Sequence, residues 1–241
     1  MAESAEPGSE PRWIRDAFAA AEHEARLYLK TAWTFTARPR RFAREWSSGA
    51  LFAMNPFAFL ATSAAAVGTA TQLVSRLLAR SDEPNPLWRE LVFALTPYLY
   101  YAALGLVSHG LLRLTGKARR LTSTVAMALY AGGGPATLAA LVLQGLTALL
   151  QPPAGAFLPG VAPQYRAVAS VAIFGSFLAF PIAFAAAMST LHGASKLRTA
   201  LSVVGGLVVL GLLLGPAHFR LGMVHFRVGF QRGWPVPDLY W

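Results

Sequence analysis

The chain has 241 residues, of which 55% are hydrophobic and only 13% are charged, and its formal net charge is +10. Soluble domains carry about 25% charged residues, so this composition indicates a membrane protein and leaves little polar sequence for a soluble enzyme domain. The lack of cysteine excludes disulfides, thiolate metal sites and cysteine nucleophiles.

The acidic residues are unevenly distributed along the chain. None lies between Leu91 and Pro237. Proton- and cation-coupled transporters usually place carboxylates inside the membrane, so this gap disfavours that class. Because the basic residues flank apolar stretches, they favour contact with anionic lipid headgroups over contact with nucleic acid. We therefore expect a lipid bilayer, and no nucleic acid, as a partner.

The N-terminal region, up to residue 49, is predicted to be a disordered tail over 1–11 followed by an amphipathic helix and a basic segment over 12–49. In the helix, apolar residues recur on one face, namely Ile14, Phe18, Ala21, Ala25, Tyr28, Leu29 and Ala32. Two interpretations remain open: the helix lies in the membrane interface, or it packs on the membrane domain. The basic segment is the positive-inside signal before a span, and its predicted headgroup contacts are Arg38, Arg40, Arg41 and Arg44.

Long apolar stretches predict an all-α, polytopic transmembrane helical bundle over residues 50–215. The third stretch has thirty uncharged residues, and a helix of that length would measure about 45 Å, more than the roughly 30 Å of a bilayer core. Lys and Arg number fourteen on one side and seven on the other, which places the N-terminus in the cytoplasm and the C-terminus outside. The five predicted spans are 51–78, 87–114, 121–150, 165–191 and 197–215.

The third span contains a glycine–proline segment, Gly132, Gly133, Gly134 and Pro135. This segment either bends the helix or divides it into two half-helices that face a binding site, as in transporters. Pro181 is a second predicted helix break, in the fourth span.

Gly211 and Gly215 have the small-xxx-small spacing of close helix packing, against a neighbour in the same chain or in a dimer.

Hydroxyl and imidazole groups in the spans raise the hypothesis of an intramembrane serine hydrolase, with Ser108 or Ser176 as nucleophile and His109 as base. Adjacent helical residues point about 100° apart, so Ser108 and His109 cannot pair by helix geometry alone. We expect His109 near the inner interface beside Arg113, and we predict no catalytic, cofactor or metal site.

The last segment, 216–241, is a basic and aromatic tail that contains a repeat. The sequence His218-Phe219-Arg220-Leu221-Gly222 recurs seven residues later. Seven residues are two helical turns, so in a helix Arg220 and Arg227 would share a face. The predicted role of these arginines is contact with lipid headgroups.

Several pieces of the chain together resemble the bacterial branch of the Yip1 family of polytopic membrane proteins. They are ARPRRFAREW before the first span, Ala128–Ala131 with Pro135 in the middle span, and LHGASK before the last span. The resemblance covers roughly residues 35–215. It implies a cytosolic N-terminus, an all-helical bundle and no known enzymatic activity. The composition, rich in Ala, Leu, Arg and Gly, predicts a bacterial source, and we therefore expect the protein in a bacterial cytoplasmic membrane.

The leading hypothesis for function is a non-enzymatic membrane scaffold, assembly or trafficking-like factor with a membrane-protein partner or a second copy of itself. Abundant small residues for helix packing motivate it. The alternative is a transporter or channel for an anionic or neutral solute, and the intramembrane hydrolase is third.

Overall fold

A computed structural model describes residues 11–77, 87–116, 118, 120–142 and 178–231. Within these ranges the chain is helical and contains no strand, which confirms the all-α prediction; the number of membrane spans stays a prediction. The helices are α1 (Arg12–Ala37), α2 (Pro39–Ser47), α3 (Pro56–Leu77), α4 (Leu87–Leu114), α5 (Leu121–Val142), α6 (Leu178–His192) and α7 (Lys196–Gln231).

Two of these helices are long and apolar enough to cross a membrane. They are α5, Leu121–Val142, and the first half of α7, Lys196–Leu213. Two shorter apolar helical stretches, Pro56–Ala70 and Leu178–His192, lie in α3 and α6. Length and composition therefore make α5 and α7 candidate spans.

The helix boundaries follow local sequence signals. Arg38 has φ −140° and ψ 60° between α1 and α2, since the proline that follows disfavours the α conformation. Asn55 is the N-cap of α3, since its side-chain oxygen accepts a hydrogen bond from the Phe57 amide at 2.9 Å. The turns after α4 and α6 use Gly116 and Gly193 at φ 72° and 62°, which favour glycine.

The observed helices can be compared with the predicted spans. α4 covers the residues of the second span, whereas α3 begins at Pro56 rather than at 51 because Asn55 caps it there. α7 continues to Gln231, beyond the predicted end at 215, so both copies of the HFRxG repeat lie on helical backbone. Residues 143–150 and 165–177 of the third and fourth predicted spans lie outside the described residues.

α5 lies at the centre of the described helices. It packs against α4 and α3, and at Gly132–Ala136 it also meets α1, while α7 packs on α4. α4 and α5 run antiparallel, so Gly105 faces Val125 and Tyr101 faces Gly132. The side chains of α5 from Ala126 to Ala131 are all buried. The stretch with the longest uncharged run thus forms the core.

α4 and α7 approach each other at two adjacent glycines. A Cβ on Gly206 would lie 2.6 Å from Ser108 Oγ, and a Cβ on Gly205 would lie 2.9 Å from a methyl carbon of Leu111. The close approach predicted from the sequence lies later in the chain, at Gly211 and Gly215. No described atom lies within 4 Å of a Cβ built on Gly211, so this glycine does not mark a close helix contact in the described residues. The packing around Gly215 is not among the described features.

α1 packs on the other helices through the second half of its length. Thr31 and Phe35 are buried, and Tyr28 and Ala32 pack against the same core. Tyr28 and Ala32 belong to the apolar face expected from the sequence, whereas Phe18 of that face is 72% exposed, and Trp13 and Trp33 are 71% and 73% exposed. The C-terminal half of α1 therefore packs on the bundle, and its N-terminal half does not pack on the described helices.

Candidate functional site

The glycine–proline segment of α5 forms a π-helical turn, Gly132–Ala136. Proline has no amide hydrogen to donate within a helix, and a π-helical turn lets the helix continue past this position. α5 is helical on both sides of the turn, from Leu121 to Val142. The division into two half-helices is therefore wrong for the described structure.

Hydroxyl groups bind carbonyl oxygens in this π-helical turn. Ser63 of α3 donates to the Gly133 carbonyl oxygen at 2.8 Å, and Thr137 donates to the Gly132 carbonyl oxygen at 3.0 Å. Such side-chain donors satisfy the backbone groups that an irregular turn frees inside an apolar environment. The turn is thus stabilised by residues of both α3 and α5.

The three glycines of the turn each face a different helix. An added Cβ would lie 2.4 Å from the Tyr101 ring of α4 at Gly132, 2.6 Å from the Phe59 ring of α3 at Gly133, and 3.2 Å from Thr36 Oγ1 of α1 at Gly134. Real Cβ atoms essentially never lie closer than 3.0 Å to another heavy atom, and the 3.2 Å distance at Gly134 is tighter than most real Cβ contacts. The triplet is therefore a packing point at which three helices approach one turn of α5.

An aromatic cluster surrounds Tyr130, one turn before the glycines. Its ring centroid lies 4.8 Å from Phe42 of α2, 5.6 Å from Phe59 of α3 and 6.0 Å from Phe35 of α1. The Tyr130 hydroxyl donates to the Met54 carbonyl oxygen at 2.6 Å. Through this cluster the N-terminal helices and the segment before α3 are attached to the centre of α5.

The predicted headgroup arginines point outward from α2. Phe42 and Ala43 are fully buried, so the opposite face of α2 is exposed. Arg41 pairs with Glu45 one turn later, at 2.6 Å. Arg40, Arg41 and Arg44 are exposed on α2, and Arg38 is exposed at the junction between α1 and α2.

Three further predicted positions, Arg220, Arg227 and Pro181, lie in α7 and α6. The side chains of Arg220 and Arg227 lie outside the described side chains, on the helical backbone of α7. Pro181 lies in the first described turn of α6 and is half-buried.

A buried polar cluster joins the C-terminal end of α4, the N-terminal end of α5 and the C-terminal end of α6. His109 Nδ1 and His192 Nε2 each lie 2.9 Å from the Thr124 hydroxyl oxygen. The imidazole rings are 5.7 Å apart at an angle of 67°. We call these three residues the histidine junction. All three side chains are less than a tenth exposed.

The hydrolase pairing that the sequence raised is not formed in the described residues. Ser108 Oγ is buried and has no hydrogen-bond partner there, while His109 binds Thr124 instead. Ser176 lies outside the described part of the chain. Within that part, no group of three His, Asp or Glu side chains is placed to hold a metal ion.

Comparisons with known proteins add no assignment. No protein-family model, curated protein or solved structure matches this chain. The resemblance to the Yip1 family consequently stays a prediction.

Two members of the histidine junction were missed from the sequence. Thr124 is one of many hydroxyl residues in the spans, and His192 lies 68 residues further along the chain. One signal was available: His109 and His192 each end an apolar stretch beside a basic turn. That pattern places both imidazoles at the same side of an antiparallel bundle.

Proposed function

We propose that this chain is a multi-pass membrane protein of the Yip1-like type, which acts as a scaffold or assembly factor through contacts with other membrane proteins and with lipid. It would lie in a bacterial cytoplasmic membrane with its N-terminus in the cytoplasm. The proposal rests on where the polar and apolar side chains lie in the described helices.

Large apolar side chains cover the outside of the helices. Ile182 of α6 is 64% exposed, and Leu201 and Leu212 of α7 are 61% and 75% exposed. Water-soluble proteins avoid large exposed apolar patches, whereas a surface in contact with lipid tails requires apolar side chains. Other exposed apolar side chains are Leu73, Leu99, Leu106, Leu138, Val142 and Leu178.

The reactive groups of the same helices are turned inward and engaged in contacts between helices. Thr124 and Ser108 are fully buried, and Ser63 and Tyr130 donate to backbone carbonyl oxygens of neighbouring segments. A substrate could reach these groups only if the helices separated. This arrangement supports a role in assembly over a role in hydrolysis.

The N-terminal helices supply a second surface suited to a membrane. Trp13 and Trp33 are exposed on α1, and α2 presents exposed arginines such as Arg40 and Arg44. Tryptophan and arginine are the residues favoured at the boundary between lipid and water. Contact with anionic headgroups would hold this part of the chain at the cytoplasmic surface.

The scaffold proposal is tested by photo-crosslinking in native membranes. A photoreactive amino acid replaces Ile182 or Leu201 on the outer faces, and replaces the fully buried Val203 of α7 as the matched control. We expect a discrete protein adduct from at least one outer position and none from position 203. Adducts with lipid alone at both outer positions, together with a monomer that purifies without any protein partner, would contradict the proposal.

Transport of an anionic or neutral solute stays an alternative prediction. Its motivation is the glycine–proline segment of the third span, Pro97, Pro181 and the cationic residues at the ends of the spans; of these, the third span is a continuous helix from Leu121 to Val142. Solute-specific uptake by vesicles that contain the purified chain would support that alternative.

A further inference from the structure

The histidine junction has the chemistry of a proton-binding site. The Thr124 hydroxyl has one hydrogen and two lone pairs, and its oxygen lies 2.9 Å from a nitrogen of each imidazole. The same oxygen lies 3.3 Å from the Arg120 carbonyl oxygen, which offers a second acceptor. With the hydroxyl hydrogen directed to that carbonyl, both imidazoles can donate to Thr124.

Protonation of an imidazole therefore preserves the hydrogen bonds but changes the charge. A protonated histidine donates from both ring nitrogens, so a positive charge would enter a site that is almost fully buried. The second ring is only 5.7 Å away. Two charges at that distance repel each other, and burial strengthens the repulsion.

The surrounding elements supply positive charges to the same end of the bundle. The charged residues at the ends of α4 and α5 are Arg113 and Arg120, and those at the start of α7 are Lys196 and Arg198. The described part of α6 has no other titratable residue than His192.

The sequence from Leu91 to Pro237 contains no Asp or Glu. No carboxylate of that sequence can offset a charged imidazole.

We propose that His109, Thr124 and His192 form a proton-responsive site that loosens the contact between α4, α5 and α6 as the pH falls from about 7.5 to about 5.5. Histidine is the side chain whose ordinary titration lies in this range. The inference does not depend on the scaffold role, because it concerns the stability of one helix junction.

The test uses the full-length protein in lipid nanodiscs and measures backbone hydrogen exchange at pH 7.5 and 5.5, corrected for the intrinsic effect of pH on exchange. Amides of Leu121–Ala131 are expected to exchange about tenfold faster at the lower pH because the junction opens. Amides of α1 are the internal reference. Equal protection of the first half of α5 at both pH values would overturn the proposal, and this result needs no variant.

Variants identify the responsible histidines. In the double variant His109→Gln/His192→Gln, which keeps polar side chains but cannot titrate, the pH response is expected to disappear. Two controls replace the other histidines of the chain: His23→Gln on the exposed face of α1, and the pair His218→Gln/His225→Gln. Both controls should keep the response. A response that persists in the junction variant, or that disappears in a control, would overturn the assignment.

Discussion

The replacement Gly133→Ala tests whether the glycines of the α5 triplet are needed because neighbouring helices pack too closely for a Cβ atom. The new Cβ would lie 2.6 and 2.7 Å from two carbon atoms of the Phe59 ring and 3.0 Å from Ser63 Oγ. Phe59 and Ser63 are both fully buried, so neither can move aside freely. Overpacking of this kind costs about 1–3 kcal/mol.

A matched control separates packing from helix propensity. Gly110 of α4 has no atom within 4 Å of an added Cβ, so Gly110→Ala has only the propensity gain of up to about 1 kcal/mol. In a protein of this size 1 kcal/mol shifts Tm by about 2–4 °C. In thermal unfolding in lipid nanodiscs, we expect Gly133→Ala to unfold roughly 2–12 °C below Gly110→Ala, because the propensity gain cancels between the two variants. We expect Gly110→Ala to leave Tm unchanged or to raise it.

A double-mutant cycle identifies the steric partner. In a Phe59→Ala background the ring atoms are gone, so adding Gly133→Ala should cost far less than it does in the native chain. Such coupling between residues in contact is about 0.5–3 kcal/mol. The reasoning is refuted if Gly133→Ala unfolds at the Tm of Gly110→Ala or above it, or if its effect is the same with and without the Phe59 ring.

Three further replacements test other contacts. Tyr130→Phe removes the 2.6 Å hydrogen bond to the Met54 carbonyl, so we expect a loss of about 1 kcal/mol in the free energy of unfolding and faster proteolysis of residues 48–55. Unchanged stability and proteolysis would argue against the attachment of this segment to α5. Gly206→Ala should lower Tm because its Cβ would lie 2.6 Å from Ser108 Oγ, whereas Gly211→Ala should not lower it, since no described atom lies within 4 Å of the new Cβ. Equal changes in Tm for the two variants would contradict the α4–α7 contact. Arg40→Gln/Arg44→Gln should lose bound anionic lipid in native mass spectrometry, since each cation near the surface contributes about 1 kcal/mol; full lipid retention would contradict the headgroup role.

Local signals in the sequence predicted much of the helical framework. The residues of the predicted second span are those of α4, Leu87–Leu114, because polar connections flank a long apolar stretch. The start of α3 was predicted five residues too early. Residues 51–55 are apolar enough to join the span, but the Asn55 side chain caps the helix at Pro56.

Periodicity predicted part of the packed face of α1. Tyr28 and Ala32 of the predicted apolar face pack against the core, while Phe18 and Leu29 of that face are exposed. Thr31 and Phe35, which were not assigned to that face, are buried. The π-helical turn and the Tyr130 ring contact this end of α1, and both are distant in the sequence.

The glycine triplet and the histidine junction show the same limit of local reasoning. Three glycines before a proline are typical of a bend or a break, but their spacing does not reveal that Tyr101, Phe59 and Thr36 each approach one of them. His109, Thr124 and His192 meet only because α4, α5 and α6 bring their ends together. Contacts between residues far apart in sequence require the arrangement of the helices.

The central claim is that the exposed apolar faces lie in lipid, and the lack of cysteine in the chain allows a direct measurement with single cysteines. Ile182→Cys and Leu201→Cys replace side chains that are 64% and 61% exposed, and Ser48→Cys replaces an exposed residue at the end of α2. A water-soluble, membrane-impermeant maleimide is applied to inside-out membrane vesicles. We predict labelling of position 48, and labelling of positions 182 and 201 only after denaturation. Equal labelling of all three positions in native vesicles would show that these faces contact water and would contradict the account.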